Sequence, residues 1–154
     1  MTSPFDPAAF LDATTTEAST RRNPLPTGHS YVALIGEITS RQWTGRADPT
    51  KTGIALDVEL VLEIPSEIQE AEGYTTSTFK LKDSIMLDLN ATGGIDFGPG
   101  KNGRLRSYRE ATGLNSPGVP FKARDLTGKT ILVQVKHRLV GDAIYEDVGA
   151  VAAA

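Results

Sequence analysis

From position 54 to 64 the sequence alternates so regularly that one backbone conformation fits it. Ile54, Leu56, Val58, Leu60, Leu62 and Ile64 fall on one side, and Ala55, Asp57, Glu59, Val61 and Glu63 on the other. A period of two marks a strand that buries one face and wets the other. A helix would scatter those six aliphatic side chains around its circumference. The chain must therefore build a sheet with a packed face, and its other segments supply the partner strands. Residues 31–38 form a nearly continuous apolar run interrupted at Gly36, where a strand bulges or bends. Residues 41–53 read as a loop or hairpin tip carrying Trp43, and residues 74–81 predict a third strand from their β-branched and aromatic content. Residues 85–89 read as its extension or as a separate short strand.

Beyond that point the punctuation changes. Gly93, Gly94, Gly98, Gly100 and Gly103 mark a loop that turns the chain. Leu105, Tyr108 and Ala111 or Thr112 then recur at helical spacing, with Gly113 as a stop, so the spacing predicts a helix over 104–112. Ile131, Val133 and Val135 line one face of a strand over 130–138, and a turn at 140–143 returns the chain as a last strand over 144–151. The element order is three strands, a helix and two strands. It predicts an all-β fold of small α content: a five-stranded OB-type Greek-key barrel with one helix between strands 3 and 4. Residues 29–154 form that domain. Residues 1–28, with Pro4, Pro7, Pro24 and Pro26 around a Thr/Ser/Ala-rich middle, read as an extended N-terminal arm. Within the arm, Asp6-Pro7 is a helix start, and Phe5, Ala9 and Phe10 offer a small apolar face that either packs on the domain or docks on a neighbouring copy.

At 154 residues the chain is the size of one domain. The absence of cysteine excludes disulfides, cysteine-based zinc sites and thiol catalysis. The start of the sequence shows no basic-then-apolar leader, and no stretch approaches the roughly 20 apolar residues of a membrane span. A soluble, intracellular protein without a membrane partner is expected.

Charge is segregated. Nine of the sixteen Lys and Arg residues lie between Lys101 and Arg138 against only Glu110 and Asp125, a formal +7 (9 − 2) within a chain of net −3. Between Gly53 and Gly73 there are six acids and no base. Such asymmetry points to an anionic partner met by one surface.

Catalytic chemistry finds little support. The run Gly98-Pro99-Gly100-Lys101-Asn102-Gly103 resembles a phosphate-binding loop only superficially, because Asn102 stands where Ser or Thr should follow the lysine and Ile95 where the first glycine should be. His29 and His137 are the only histidines, and Asp83, Asp88 and Asp96 are spaced in no diagnostic way for a metal. No enzyme activity, metal or cofactor is expected. Single-strand binders combine a basic groove with aromatic platforms on which bases stack. Trp43 between Arg41 and Arg46 fits that pairing, with Lys51 in the same loop; Phe79 beside Lys80 and Lys82 is a second case, and Tyr108 between Arg106 and Arg109 a third. Phe79 and Tyr108 also have a plain reading as core residues. Lys101, Arg104 and Arg106 around the helix, and Lys136 and Arg138 on the fourth strand, complete the basic set.

The run from Gly98 to Asn115 (GPGKNGRLRSYREATGLN), Pro117-Gly-Val-Pro-Phe, Leu126-Thr-Gly-Lys, Val133-Gln-Val-Lys-His and Tyr145-Glu-Asp-Val resemble bacteriophage single-stranded DNA-binding-like proteins with an OB fold. The resemblance covers residues 28–151 and implies single-stranded DNA binding in phage DNA replication or recombination, in the host cytoplasm. One departure is the end of the sequence, Val151-Ala-Ala-Ala, where many single-strand-binding proteins carry acidic residues. The competing reading is a structural or adaptor protein, a virion or assembly component, in which the barrel is a scaffold and the arm joins copies into a homo-oligomer.

Overall fold

A computed structural model describes residues 4–154; the first three residues of the predicted arm lie outside it. The alternating segment is β2 (Thr52–Glu63), and it sits inside a single five-stranded antiparallel sheet with β1 (Ser30–Thr44), β3 (Thr78–Met86), β4 (Thr130–Val140) and β5 (Ala143–Ala153). Sheet order is β3-β2-β1-β4-β5, so β1 holds the centre and β3 and β5 are the two ends. Those ends curl towards each other, with Cα atoms of β3 and β5 within 8 Å.

Register explains the burial. Ala33 pairs with Leu62, Ile35 with Leu60, Ile38 with Val58 and Leu56 with Ile85, which stacks the inward residues of three strands. Tyr31 opposite Val133 and Ala33 opposite Ile131 carry the same face into β4. Leu105 and Tyr108 of α3 (Gly103–Ala111) close one side of this core, and Leu126 of a short 3-10 turn (Ala123–Leu126) enters it as well. The bend expected at Gly36 is a bulge in the β1–β2 register between Ile35 and Ile38.

The structure departs from the sequence reading in four places, each with a physical reason. β1 continues to Thr44 instead of ending at residue 38, because its polar outer end still pairs with β2, Thr44 opposite Thr52. Trp43 is thus a strand residue, and the connecting turn is only Gly45–Lys51, closed by Gly45 N–H donating to the Lys51 carbonyl at 2.8 Å. The third strand runs later than expected. Tyr74 is drawn out of it by the arm, where its hydroxyl donates to the Asn23 carbonyl at 2.6 Å, while Asp83 occupies an inward position and so masks the alternation of Phe79, Leu81 and Ile85. A further helix, α2 (Ser66–Glu72), fills the β2–β3 connection. It starts after Pro65, ends at Gly73 in the left-handed region (φ 74°) and buries Ile68.

α1 (Pro7–Leu11) is capped by Asp6, whose Oδ1 accepts from the N–H groups of Ala8 and Ala9. It buries none of its residues. The arm is fastened further along. Leu25 is fully buried, and Arg22 donates to both carboxylate oxygens of buried Glu146 at 2.7 and 2.8 Å. Tyr31 donates to the Pro26 carbonyl at 2.6 Å, and burial pushes its hydroxyl pKa up to about 12.

Candidate nucleic-acid interface

Strand pairing sorts the basic residues before any ligand is considered. In β3, Lys80 and Lys82 alternate with Phe79 and Leu81 and so face outward, Lys80 opposite Val61 and Lys82 opposite Glu59. In β4, Lys136 opposite Asp147 and Arg138 opposite Tyr145 face outward beyond the last inward residue of that strand, Val135. Because β3 and β5 curl together, these separate stretches meet. Lys82, Arg104, Lys136 and Arg138 line one open groove of ≈ 460 Å³ together with Asp83, Ser84, Asp147 and Val148.

Ser84 of the groove is tied to the outer face of β1 and β2 through a shared carboxylate. Ser84 Oγ donates to Asp57 Oδ1 at 2.6 Å, and Arg41 Nε donates to Asp57 Oδ2 at 2.9 Å. Two donors on one carboxyl, the Ser84 hydroxyl first and Arg41 after it, hold the Asp57 pKa below the ordinary range against the opposing effect of burial. Trp43 follows Arg41 on the same side of β1, two residues on. Its indole lies across Gly53, so close that a Cβ there would fall 2.5 Å from Cε2 and Cζ2, and its covered Nε1 donates to nothing. Trp43 is half-buried rather than projecting from a loop.

Two of the arginines serve the fold as well. Arg104 donates through Nε to Asp83 Oδ2 at 2.9 Å and through Nη2 to the Val148 carbonyl at 2.8 Å, joining β3 to β5. Tyr108, fully buried, donates to the same Asp83 oxygen at 2.7 Å. Burial first, and the Asp83 charge second, push the Tyr108 hydroxyl well above its ordinary pKa. Arg138 donates to Asp147 at 2.8 Å with its guanidinium 5.2 Å from the Tyr145 ring centre, whereas Lys136 forms no ion pair among the described residues.

The remaining predicted contacts lie elsewhere. Arg46 and Lys51 belong to the β1–β2 turn, and Phe79 packs against the core under the Arg22 guanidinium, 5.0 Å from its ring centre. Lys101 and Arg106 line a second hollow with Phe97, Leu105 and Arg109. Arg109 is stacked between Phe97 and Phe121, 5.3 and 4.3 Å from their ring centres. That sandwich was not legible in the sequence, since twelve positions separate Arg109 from each ring and only the fold closes them up. The glycine loop beside it is tied down by Asn102, buried and in the left-handed region (φ 50°). Its Oδ1 accepts from Asp88 N–H, and its Nδ2 donates to the carbonyls of Asp88 and Asp96. Asn102, one of the two residues that break the phosphate-loop pattern, is therefore the one that folds the loop. Among the described residues no three His, Asp or Glu side chains are grouped to hold a metal ion, and no helix is long and apolar enough to cross a membrane. No protein-family model and no curated protein matches this chain.

Proposed function

We propose that this chain is a non-enzymatic single-stranded DNA-binding protein built on an OB-type barrel. The barrel reading is supported by the sheet order, by the approach of β3 to β5, and by α3 lying between β3 and β4 in sequence and packing on β5. The DNA reading is carried by one observation: Lys82, Arg104, Lys136 and Arg138, from three elements, line a single groove whose Ser84 is joined through Asp57 to Arg41, two residues before Trp43. A single strand laid there would set phosphates beside the cations and a base against Trp43. The resemblance of residues 28–151 to phage proteins of this kind supports a role in phage DNA replication or recombination in the host cytoplasm.

Trp43 is the only tryptophan, so its fluorescence reports on the site directly. Titration with oligo-dT is expected to quench that emission, with log K falling against log salt at about −0.7 per phosphate contacted. Lys82→Glu with Lys136→Glu should weaken binding by roughly tenfold or more. If neither quenching nor anisotropy of a labelled oligonucleotide shows binding at low salt, with protein in the tens of micromolar that covers non-specific binding, the reading fails. The adaptor reading has one observation of its own, the exposed apolar side chains of α1, and an arm-deleted chain that sediments as the full chain does would remove it.

A further inference from the structure

α1 and the hollow beside α3 are complementary surfaces of the same chain. On α1 and its flanks Phe5, Phe10 and Leu11 are 72, 72 and 87% exposed, the two phenylalanine rings packed on each other with centres 5.4 Å apart. The arm has no Lys or Arg before Arg21, while Asp6, Asp12 and Glu17 make it acidic. At α3 two adjoining hollows of ≈ 310 and ≈ 470 Å³ share Phe97, Arg109 and Asn115. Lys101 and Arg106 rim the first, and Val119 and Phe121 line the second. Three acids adjoin this rim: Glu110, exposed and 3.8 Å from Arg106, and Asp88 and Asp96, whose carboxylates accept from the Asn102 and Gly98 N–H groups, so the charged side chains lining the hollows themselves are Lys101, Arg106 and Arg109. An acidic apolar helix thus faces no partner on its own domain, and a basic apolar trough stands open.

We infer that α1 of one copy docks in the Phe97–Arg109–Phe121 trough of a second copy, giving a dimer by reciprocal arm exchange. The arm is pinned to its own domain only from Arg21 onward, through Asp142 and Glu146. The nine residues between α1 and that pin can span about 30 Å when extended, enough to cross to a neighbour. Three side chains are a small anchor for a bimolecular contact, because association costs translational and rotational freedom once per complex. Reciprocal exchange doubles the buried surface for that single cost, and a two-fold axis requires it. The inference stands apart from the DNA reading, since the trough and the Lys82–Lys136 groove share no lining residue.

Sedimentation velocity of the full chain over a range of concentrations tests it. The wild type is expected to dimerise reversibly. Phe10→Asp, on a helix outside the core, should weaken that dimer by about tenfold or more while leaving the melting curve unchanged, and Lys101→Glu with Arg106→Glu should do the same from the other side. Asp12→Lys added to the Lys101→Glu, Arg106→Glu chain should restore part of the loss. A wild type that stays monomeric overturns the inference, as does a dimer indifferent to Phe10→Asp. Oligonucleotide affinity of Phe10→Asp at monomeric concentrations should stay within about twofold of wild type, so loss of the dimer and loss of DNA binding are separate outcomes.

Discussion

Trp43 is held flat by what Gly53 lacks. Only a residue without Cβ lets the indole pass over the β2 backbone at this distance, since any Cβ would sit 2.5–2.6 Å from three ring atoms. The packing is incomplete in energy, because the covered Nε1 has no acceptor, and a buried donor left unpaired costs about 1–3 kcal/mol. That penalty offsets part of the burial and lowers the cost of lifting the ring off Gly53. Gly53→Ala should therefore displace the indole into solvent, shifting its emission to longer wavelength and costing about 1–3 kcal/mol in a denaturant melt. Unchanged emission and unchanged stability would show that the ring packs elsewhere. The aromatic itself was legible in the sequence and its setting was not. A Trp amid Arg, Gln and Thr reads as a loop, and its strand conformation comes from Thr44 pairing with Thr52 across the turn.

Where β3 meets β5 the sheet is joined by a side chain. Arg104 reaches an acid on one strand and a carbonyl on the other, a task for a forked guanidinium and not for an ammonium. Arg104→Ala would leave Asp83 with only the Tyr108 hydroxyl and cost roughly 2 kcal/mol, the figure for a buried pair reduced for the exposure of the arginine. Arg104→Lys should recover less than half of that, and hydrogen exchange should rise in β3 and β5 before it rises in β2. Equal stability of the alanine variant and the parent would dismiss the join. At this scale the sequence was readable wherever one face was purely apolar, as in β2, β4 and α3. It misled where a strand turned a charge inward, as β3 does with Asp83, and where a short helix had too few apolar positions to show a period, as in α2, with Ile68 as its one buried residue.

Across the molecule, the +7 stretch that drew attention in the sequence is not one surface. Lys136 and Arg138 reach the groove, Arg104 spans the strand ends beside it, Lys101, Arg106 and Arg109 surround the trough, and Lys122 and Arg124 line a third hollow. Contiguity along the chain became dispersal over the fold, because α3, the 3-10 turn and β4 bring these side chains to three separate hollows. Two tyrosine hydroxyls add polar ties between elements that share the core. Tyr31 fastens the arm to β1 and β4, and Tyr108 fastens α3 to β3. Both stay protonated in the folded protein where the unfolded chain would ionise them. Each therefore contributes fully below the unfolded tyrosine pKa of about 10, and that contribution is lost as pH rises through the folded value, about 12 for Tyr31. Stability should fall from pH about 10 upward with an added slope of about 1.4 kcal/mol per pH unit for each such tyrosine. Lysines also titrate in this range, so the measurement that isolates the effect is urea unfolding of the parent against Tyr31→Phe and Tyr108→Phe across the alkaline window. Each phenylalanine variant should start lower at neutral pH, having lost a hydrogen bond, and decline less steeply. Parallel slopes in all three proteins would mean that these hydroxyls ionise as freely in the fold as outside it.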